Sequence, residues 1–217
     1  DRDTIESAAQ MVSVQVGDSG LAGLVNNAGI VVAGPLEYVP IDELRQQLET
    51  NVVGQISVTQ AFLPLLRKGR GRVINIGSVS GRVATPFLGP YAASKFALEA
   101  LTDSLRGELR PWGLDVVIVQ PGPVQSMLWS KGARAAAELA NTLPPEAIQL
   151  YGKAMESSRR WEKKLSRSLK SPRVVAEAVA DALMARRPKT RYPIGIEGRA
   201  SDLAARVLPD RLRDWLL

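Results

Sequence analysis

Residues 72–95 read RVINIGSVSGRVATPFLGPYAASK. The opening Arg72–Gly77 is a β-branched run with the look of a buried strand, stopped by Gly77-Ser78. A loop rich in Gly, Ser, Thr and Pro follows, from Ser78 to Gly89. From about Pro90 to Arg110 the apolar spacing becomes helical, and Pro111 with Gly113 ends the helix. Leu114–Val119 (LDVVIV) is a second β-branched strand, closed by Pro121-Gly122-Pro123. A strand, a crossover helix and another strand make a βαβ unit, whose two strands run parallel.

The same alternation continues outward. Asp3 to about Val16 is predicted as a helix, with Asp3 and Glu6 at capping-box spacing and Ile5, Ala8, Ala9 and Val12 on its apolar face. Leu21–Val25 is predicted as a short buried strand running into a turn at Asn26-Asn27-Ala28-Gly29. Asp42 to about Leu66 is predicted as one long helix, broken off by Gly69 and Gly71. Beyond the central unit, residues 124–170 are polar, basic, and helical or irregular. A helix over 172–187, a short strand over 191–195 and an amphipathic stretch over 201–217 complete the chain. Strands alternating with helices imply a single α/β domain over residues 1–217, its parallel sheet covered on both faces. Such sheets bind ligands at the carboxyl ends of their strands. That rule points to Asn26–Gly29, Ser78 and Pro121–Ser126.

Composition narrows the chemistry. The 217 residues contain no Cys and no His. Thiolate catalysis, disulfides and every histidine-based triad are therefore excluded, and no metal site is expected. Acid/base work falls to Tyr, Lys, Asp or Glu. The net charge of +6 is concentrated in residues 151–217, with 16 Lys/Arg against 8 Asp/Glu. No aromatic-interleaved basic motif accompanies it, so a solvated helical surface is expected and nucleic acid is not an expected partner. No apolar run approaches the ~20 residues of a membrane span, and Asp1-Arg2-Asp3 has no signal-peptide character, which makes the cytoplasm the default location.

Tyr91 and Lys95 stand four apart in a helical segment and therefore share a face. An ammonium beside a phenol favours the phenolate, so Lys95 is expected to lower the Tyr91 pKa from about 10 and make it a proton donor/acceptor. Ser78, at the end of a strand, is placed to hold a substrate oxygen beside that phenol. Asn51, on a neighbouring helix, is placed to fix a water linking Lys95 to solvent. Plainer readings exist for some of these residues. Asn26 and Asn27 also suit a turn whose backbone they satisfy, and Asn51 suits a helix residue holding a local bulge. Ser80 rivals Ser78 but stands two residues too close to Tyr91.

Taken together, NNAG at 26–29, NVVG at 51–54, INIGS at 74–78, YAASK at 91–95 and PGPVQS at 121–126 resemble the short-chain dehydrogenase/reductase family in order and spacing. The resemblance covers the whole chain. It implies a Rossmann-type, doubly wound parallel sheet and hydride transfer between NAD or NADP and a secondary alcohol or ketone. It implies Tyr91 as acid/base, Lys95 as modulator and ribose ligand, Ser78 as the substrate-oxygen ligand and Asn51 as anchor of a relay water. Asn26, Asn27, Ala28 and Gly29 would lie along the adenosine half of the cofactor. Pro121, Gly122 and Val124 would line the nicotinamide, with Ser126 on its carboxamide. Ser126 replaces the usual threonine, and Gly77 replaces a common serine at no expected cost. Residues 124–170 occupy the family's substrate-lid position. SKFALEALTDSLRGEL from Ser94, with the C-terminal region, most resembles the branch acting on hydrophobic alcohols such as steroids and retinoids. The family's usual helices imply a homo-oligomer through 42–66 and 90–110.

One family element is missing from its expected place. No glycine-rich turn between a strand and a helix precedes NNAG, since Gly17 and Gly20 lie between a helix and a strand. The expectation is an N-terminally incomplete domain, from the fourth strand onward, with Leu21–Val25 as an exposed edge and weakened cofactor binding. The competing expectation is a truncated, non-catalytic remnant acting as an interaction module.

Overall fold

The computed structural model describes residues 1–165, 169–196, 203, 207–209 and 211–212. The amphipathic stretch expected over 201–217 lies largely outside them. Four strands form one parallel sheet: β1 (Gly23–Asn26), β2 (Arg72–Ile76), β3 (Asp115–Pro121) and β4 (Arg191–Ile194), paired in that order. Among the described residues no strand pairs with the outer side of β1, where Val25 is 38% exposed. The strand expected over Leu21–Val25 is shifted to Gly23–Asn26.

Alternation along the strands sorts side chains to two cores. Val73 and Val116 point to one face, against Phe62 and Leu66 of α3 (Gly54–Gly69), Leu105 and Leu109 of α4 (Gly89–Leu109), and Ala8, Ala9 and Val12 of α1 (Arg2–Val16). Ile74, Val117 and Val119 point to the other, against Val175, Val179 and Ala182 of α7 (Arg173–Met184). Helices cover both faces, as the continuous apolar runs in β2 and β3 require. Arg72 ties the second layer down, donating to the carbonyls of Ala182 and Leu183 at 2.9 and 2.7 Å at the end of α7.

Several predicted boundaries move for identifiable reasons. The cap of α1 is Asp1, whose side chain accepts from the Asp3 N–H at 3.1 Å, while Glu6 pairs with Arg2 at 2.7 Å. The Asp3/Glu6 capping box therefore does not form. The long helix expected over 42–66 is two helices, α2 (Ile41–Leu48) and α3, joined by a π turn over Glu49–Val53. A π turn inserts one extra residue and redirects the side chains around it, and here it turns Asn51 fully inward. Gly20, at a φ of 68°, sits where a Cβ would overlap the backbone of Gly69. It thus lets the turn before β1 cross the turn before β2.

The polar segment after β3 folds into α5 (Met127–Thr142) and α6 (Pro145–Leu165). Helix α5 rests on the loop that leaves β1, so closely that a Cβ on Gly132 would lie 2.9 Å from that of Val31. Tyr151 of α6 meets the rings of Tyr38 and Phe87 at centroid distances of 6.0 and 6.4 Å and donates to Glu37 at 2.7 Å. Phe87 holds a φ of 68°. That left-handed conformation costs an L-residue roughly 1–2 kcal/mol, and the Gly34 N–H bond to the Phe87 carbonyl, 2.8 Å, helps hold it.

Candidate active site

The carboxyl ends of β1, β2 and β3 converge on α4. Ser78 follows β2 after Gly77 and caps the short turn Val79–Gly81, its hydroxyl accepting from the Ser80 N–H at 3.1 Å. Ser80 is thereby used by its backbone. Tyr91 and Lys95 lie one turn apart near the start of α4, which Pro90 opens. Lys95 reaches back to the sheet, and its Nζ donates to the Ile76 carbonyl at 2.7 Å. It also lies 5.8 Å from the centroid of the Tyr91 ring. Ser78, Tyr91 and Lys95 are all buried, at 4, 3 and 4% exposure.

Burial governs the electrostatics. Desolvation raises the Tyr91 pKa above its usual 10, and a hydrogen bond from the Ser78 side chain works against that rise. Desolvation also lowers Lys95 to about 8. The net Tyr91 shift is therefore upward, opposite to the lowering expected from Lys95, because burial outweighs the neighbouring group. In this arrangement the ammonium is committed to a backbone carbonyl, and loss of water dominates both groups.

Asn51 is fully buried and both N–H donors of its carboxamide are used. It donates to the Ile30 carbonyl at 3.0 Å and to the Ser94 hydroxyl at 3.1 Å, and it accepts from the Ile30 N–H at 2.9 Å. Gln47, one turn earlier, accepts from the Val32 N–H at 2.6 Å and donates to the Ile30 carbonyl at 2.9 Å. These two amides clamp the chain leaving β1 and join it to α4 beside Tyr91. Gln47 is not recognised from the motifs. Its one signal is a polar side chain four residues before Asn51, on the same helix face.

The NNAG turn divides between two jobs. Asn26 donates to Thr59 at 2.8 Å and to Asn75 at 2.9 Å, and Asn75 donates to Thr102 at 2.8 Å, so Asn26 is a buried structural link. Asn27 and Ala28 are exposed, with the Ala28 carbonyl held by Gln55 at 2.9 Å, and Gly29 lies against Asn51. After β3, Pro121 and Gly122 are half-buried and Val124 is buried, bridging to Lys170. Ser126 is exposed and its side chain does not cap α5. One residue without a motif completes the site: Trp129 of α5 packs edge-to-face on Tyr91 with centroids 5.6 Å apart.

Gly77 also has a role the sequence does not show. A Cβ there would lie 2.8 Å from Ile118 Cδ1 and 3.2 Å from the Val119 carbonyl. Ile118 fills the space a serine would take, so the two positions are matched.

The arrangement has features that suit part of a dinucleotide: exposed backbone at the end of β1, a half-buried Pro-Gly step after β3, and an ammonium with donors beyond its one bond. Comparison with known proteins agrees. The family model for the short chain dehydrogenase matches residues 1–136. An NADPH-dependent 3-dehydrocapnine reductase of Ornithobacterium rhinotracheale is 36% identical, over 99% of this chain and 75% of the relative. Retinol dehydrogenase 5 of Mus musculus is 38% identical, over 100% of this chain and 70% of the relative. A short-chain dehydrogenase from Streptomyces avermitilis superposes with a TM-score of 0.74 at 27% identity, covering 100% of this chain and 74% of that one. The chain belongs to the short-chain dehydrogenase/reductase family, a class of NAD(P)-dependent oxidoreductases. No described helix is long and apolar enough to cross a membrane.

Proposed function

We propose that this protein interconverts an apolar secondary alcohol and its ketone, with Tyr91 moving the proton. The observation that carries the reading is the burial of Ser78, Tyr91 and Lys95 together at the carboxyl end of a parallel sheet. A bound nicotinamide supplies or takes up the hydride. The residues that would hold it are Asn27, Ala28 and Gly29 after β1, Lys95 on α4, and Pro121, Gly122, Val124 and Ser126 after β3. The nucleotide is NAD or NADP, and one relative is an NADPH-dependent reductase.

The chain's own chemistry follows from the geometry. Ser78 and Tyr91 present two hydroxyls to one substrate oxygen. In the reducing direction Tyr91 gives its proton to that oxygen as negative charge develops there, and burial keeps the phenol protonated until then. The Ser78 hydroxyl donates a second bond to the same charge. Lys95, held by Ile76, places an ammonium where the phenolate forms and has further N–H groups for a ribose. Asn51 has spent its side-chain donors on Ile30 and Ser94, so its part in a water relay would run through the backbone or its remaining acceptor capacity.

Similarity to a retinol dehydrogenase, together with the Ser94 stretch, supports an apolar substrate. A homo-oligomer through residues 42–66, on α2 and α3, and 90–110, on α4, is part of the same reading, supported by Phe96 standing 43% exposed on α4. The non-catalytic alternative has no observation in its favour. The test is nicotinamide absorbance with NADH and NADPH on a panel of secondary ketones, wild type beside Tyr91→Phe. Turnover is expected to fall about 10²–10⁴-fold in the variant with the melting temperature unchanged. A variant within a few-fold of wild type removes Tyr91 from the chemistry.

A further inference from the structure

Trp129 touches the residue that would move the proton. Its indole stands edge-on to Tyr91 at 5.6 Å between centroids, and Tyr91 is left 3% exposed. Ser78 is equally closed, at 4%. A substrate oxygen bonded to both hydroxyls must bring its carbon skeleton to this same corner, where the indole already forms a surface. The helix that carries the indole is closely seated on the loop leaving β1. Gly132, three residues on, lets α5 approach Val31 as closely as backbone allows, and Leu139 lies in the same way against Gly34. Helix packing therefore sets the backbone from which Trp129 projects to Tyr91.

We propose that Trp129 is the specificity-determining residue of this site, the surface against which a ring-bearing apolar secondary alcohol or ketone packs. The proposal rests on the oxidoreductase reading above and names the part of the chain that selects the skeleton. A large flat side chain offers contact area at little conformational cost, and it offers nothing to the hydroxyls of a polyol beyond one N–H. The dryness of the corner points the same way. Desolvation shifts both Tyr91 and Lys95 away from their charged forms, and a strongly hydrated substrate would have to shed its water there without replacement partners.

The experiment compares 2-tetralone with acetone in wild type, Trp129→Phe and Trp129→Ala, with NADH and NADPH. The ratio of kcat/KM for tetralone to that for acetone is expected to fall about tenfold or more in Trp129→Ala and to stay within about threefold in Trp129→Phe. Trp129→Leu, which keeps an apolar filler, replaces the alanine variant if that one melts early. An unchanged ratio in the truncated variant overturns the proposal. A second measurement does not depend on turnover. In the Trp112→Phe, Trp161→Phe, Trp215→Phe background, Trp129 is the single indole, and 2-tetralone is expected to quench it saturably. Absence of saturable quenching overturns the proposal. Saturable quenching without turnover of either ketone leaves Trp129 as the contact surface and removes the oxidoreductase reading instead.

Discussion

Loss of water moves the two titrating groups of the site toward neutrality from opposite sides, Tyr91 by holding its proton and Lys95 by releasing its own near pH 8. The consequence for Lys95 is measurable in stability. Between about pH 8 and the unfolded value of 10.5 the unfolded chain keeps the Lys95 proton and the folded chain does not. Raising the pH through that window therefore favours the folded state. Below it both states are charged and the full burial penalty is felt. At about 1.4 kcal/mol per pK unit, the recovery is on the order of 3 kcal/mol. Urea unfolding of wild type against Lys95→Met is expected to show wild type gaining on the variant from pH 8 to 10.5. A constant difference would mean that Lys95 is not desolvated as the structure has it. The sequence placed Ser78, Tyr91 and Lys95 near one another, as they stand in the fold, because their spacing is a property of one strand, one loop and one helix. It misplaced the direction of the Tyr91 shift because burial is a property of what packs on top. Trp129 comes from a segment with no motif, and its approach depends on Gly132 meeting Val31 across a hundred residues of chain.

Helix α4 is held to the sheet by charge as well as by its apolar face. Glu99, two turns after Tyr91, has a side chain only 6% exposed. It accepts from Arg191 of β4 at 3.0 Å and from Gln120 of β3 at 2.7 Å. Arg191 extends the pairing to Asp103 at 2.6 Å, which in turn meets Arg106 at 2.7 Å. Arg191→Ala would leave the Glu99 carboxylate buried with an amide alone. Removing one partner of a buried pair costs about 3–5 kcal/mol, and the lower end applies because the Arg191 side chain is 19% exposed. Urea denaturation is expected to show that loss, with Glu99→Gln in the same chain recovering part of it. The strands and helices themselves were legible from hydrophobic period outside two regions, 42–66 and the polar 124–170 segment that folds into α5 and α6. The 42–66 region reads as one helix because a π turn leaves the apolar spacing nearly intact. Only the inward polar pair Gln47 and Asn51 betrays it. The capping box at Asp3 was misread because Asp1 competes for the same first-turn N–H and wins by position.

Among the described residues the four parallel strands share two apolar layers, and β4 is tied to α4 through Arg191. Strand β1 carries a guard against misalignment. Asn26 stands opposite Asn75 in the ladder, and the two amides run a polar line from Thr59 on α3 to Thr102 on α4. Sliding β1 by one residue would turn its carboxamide toward the opposite layer, since successive side chains alternate between faces. Sliding it by two would restore the face but leave both amides without their mates. Each orphaned group costs about 1–3 kcal/mol. The line of four side chains thus behaves as a keyed joint, admitting one alignment of the strands and making near-miss assemblies unprofitable while the chain folds.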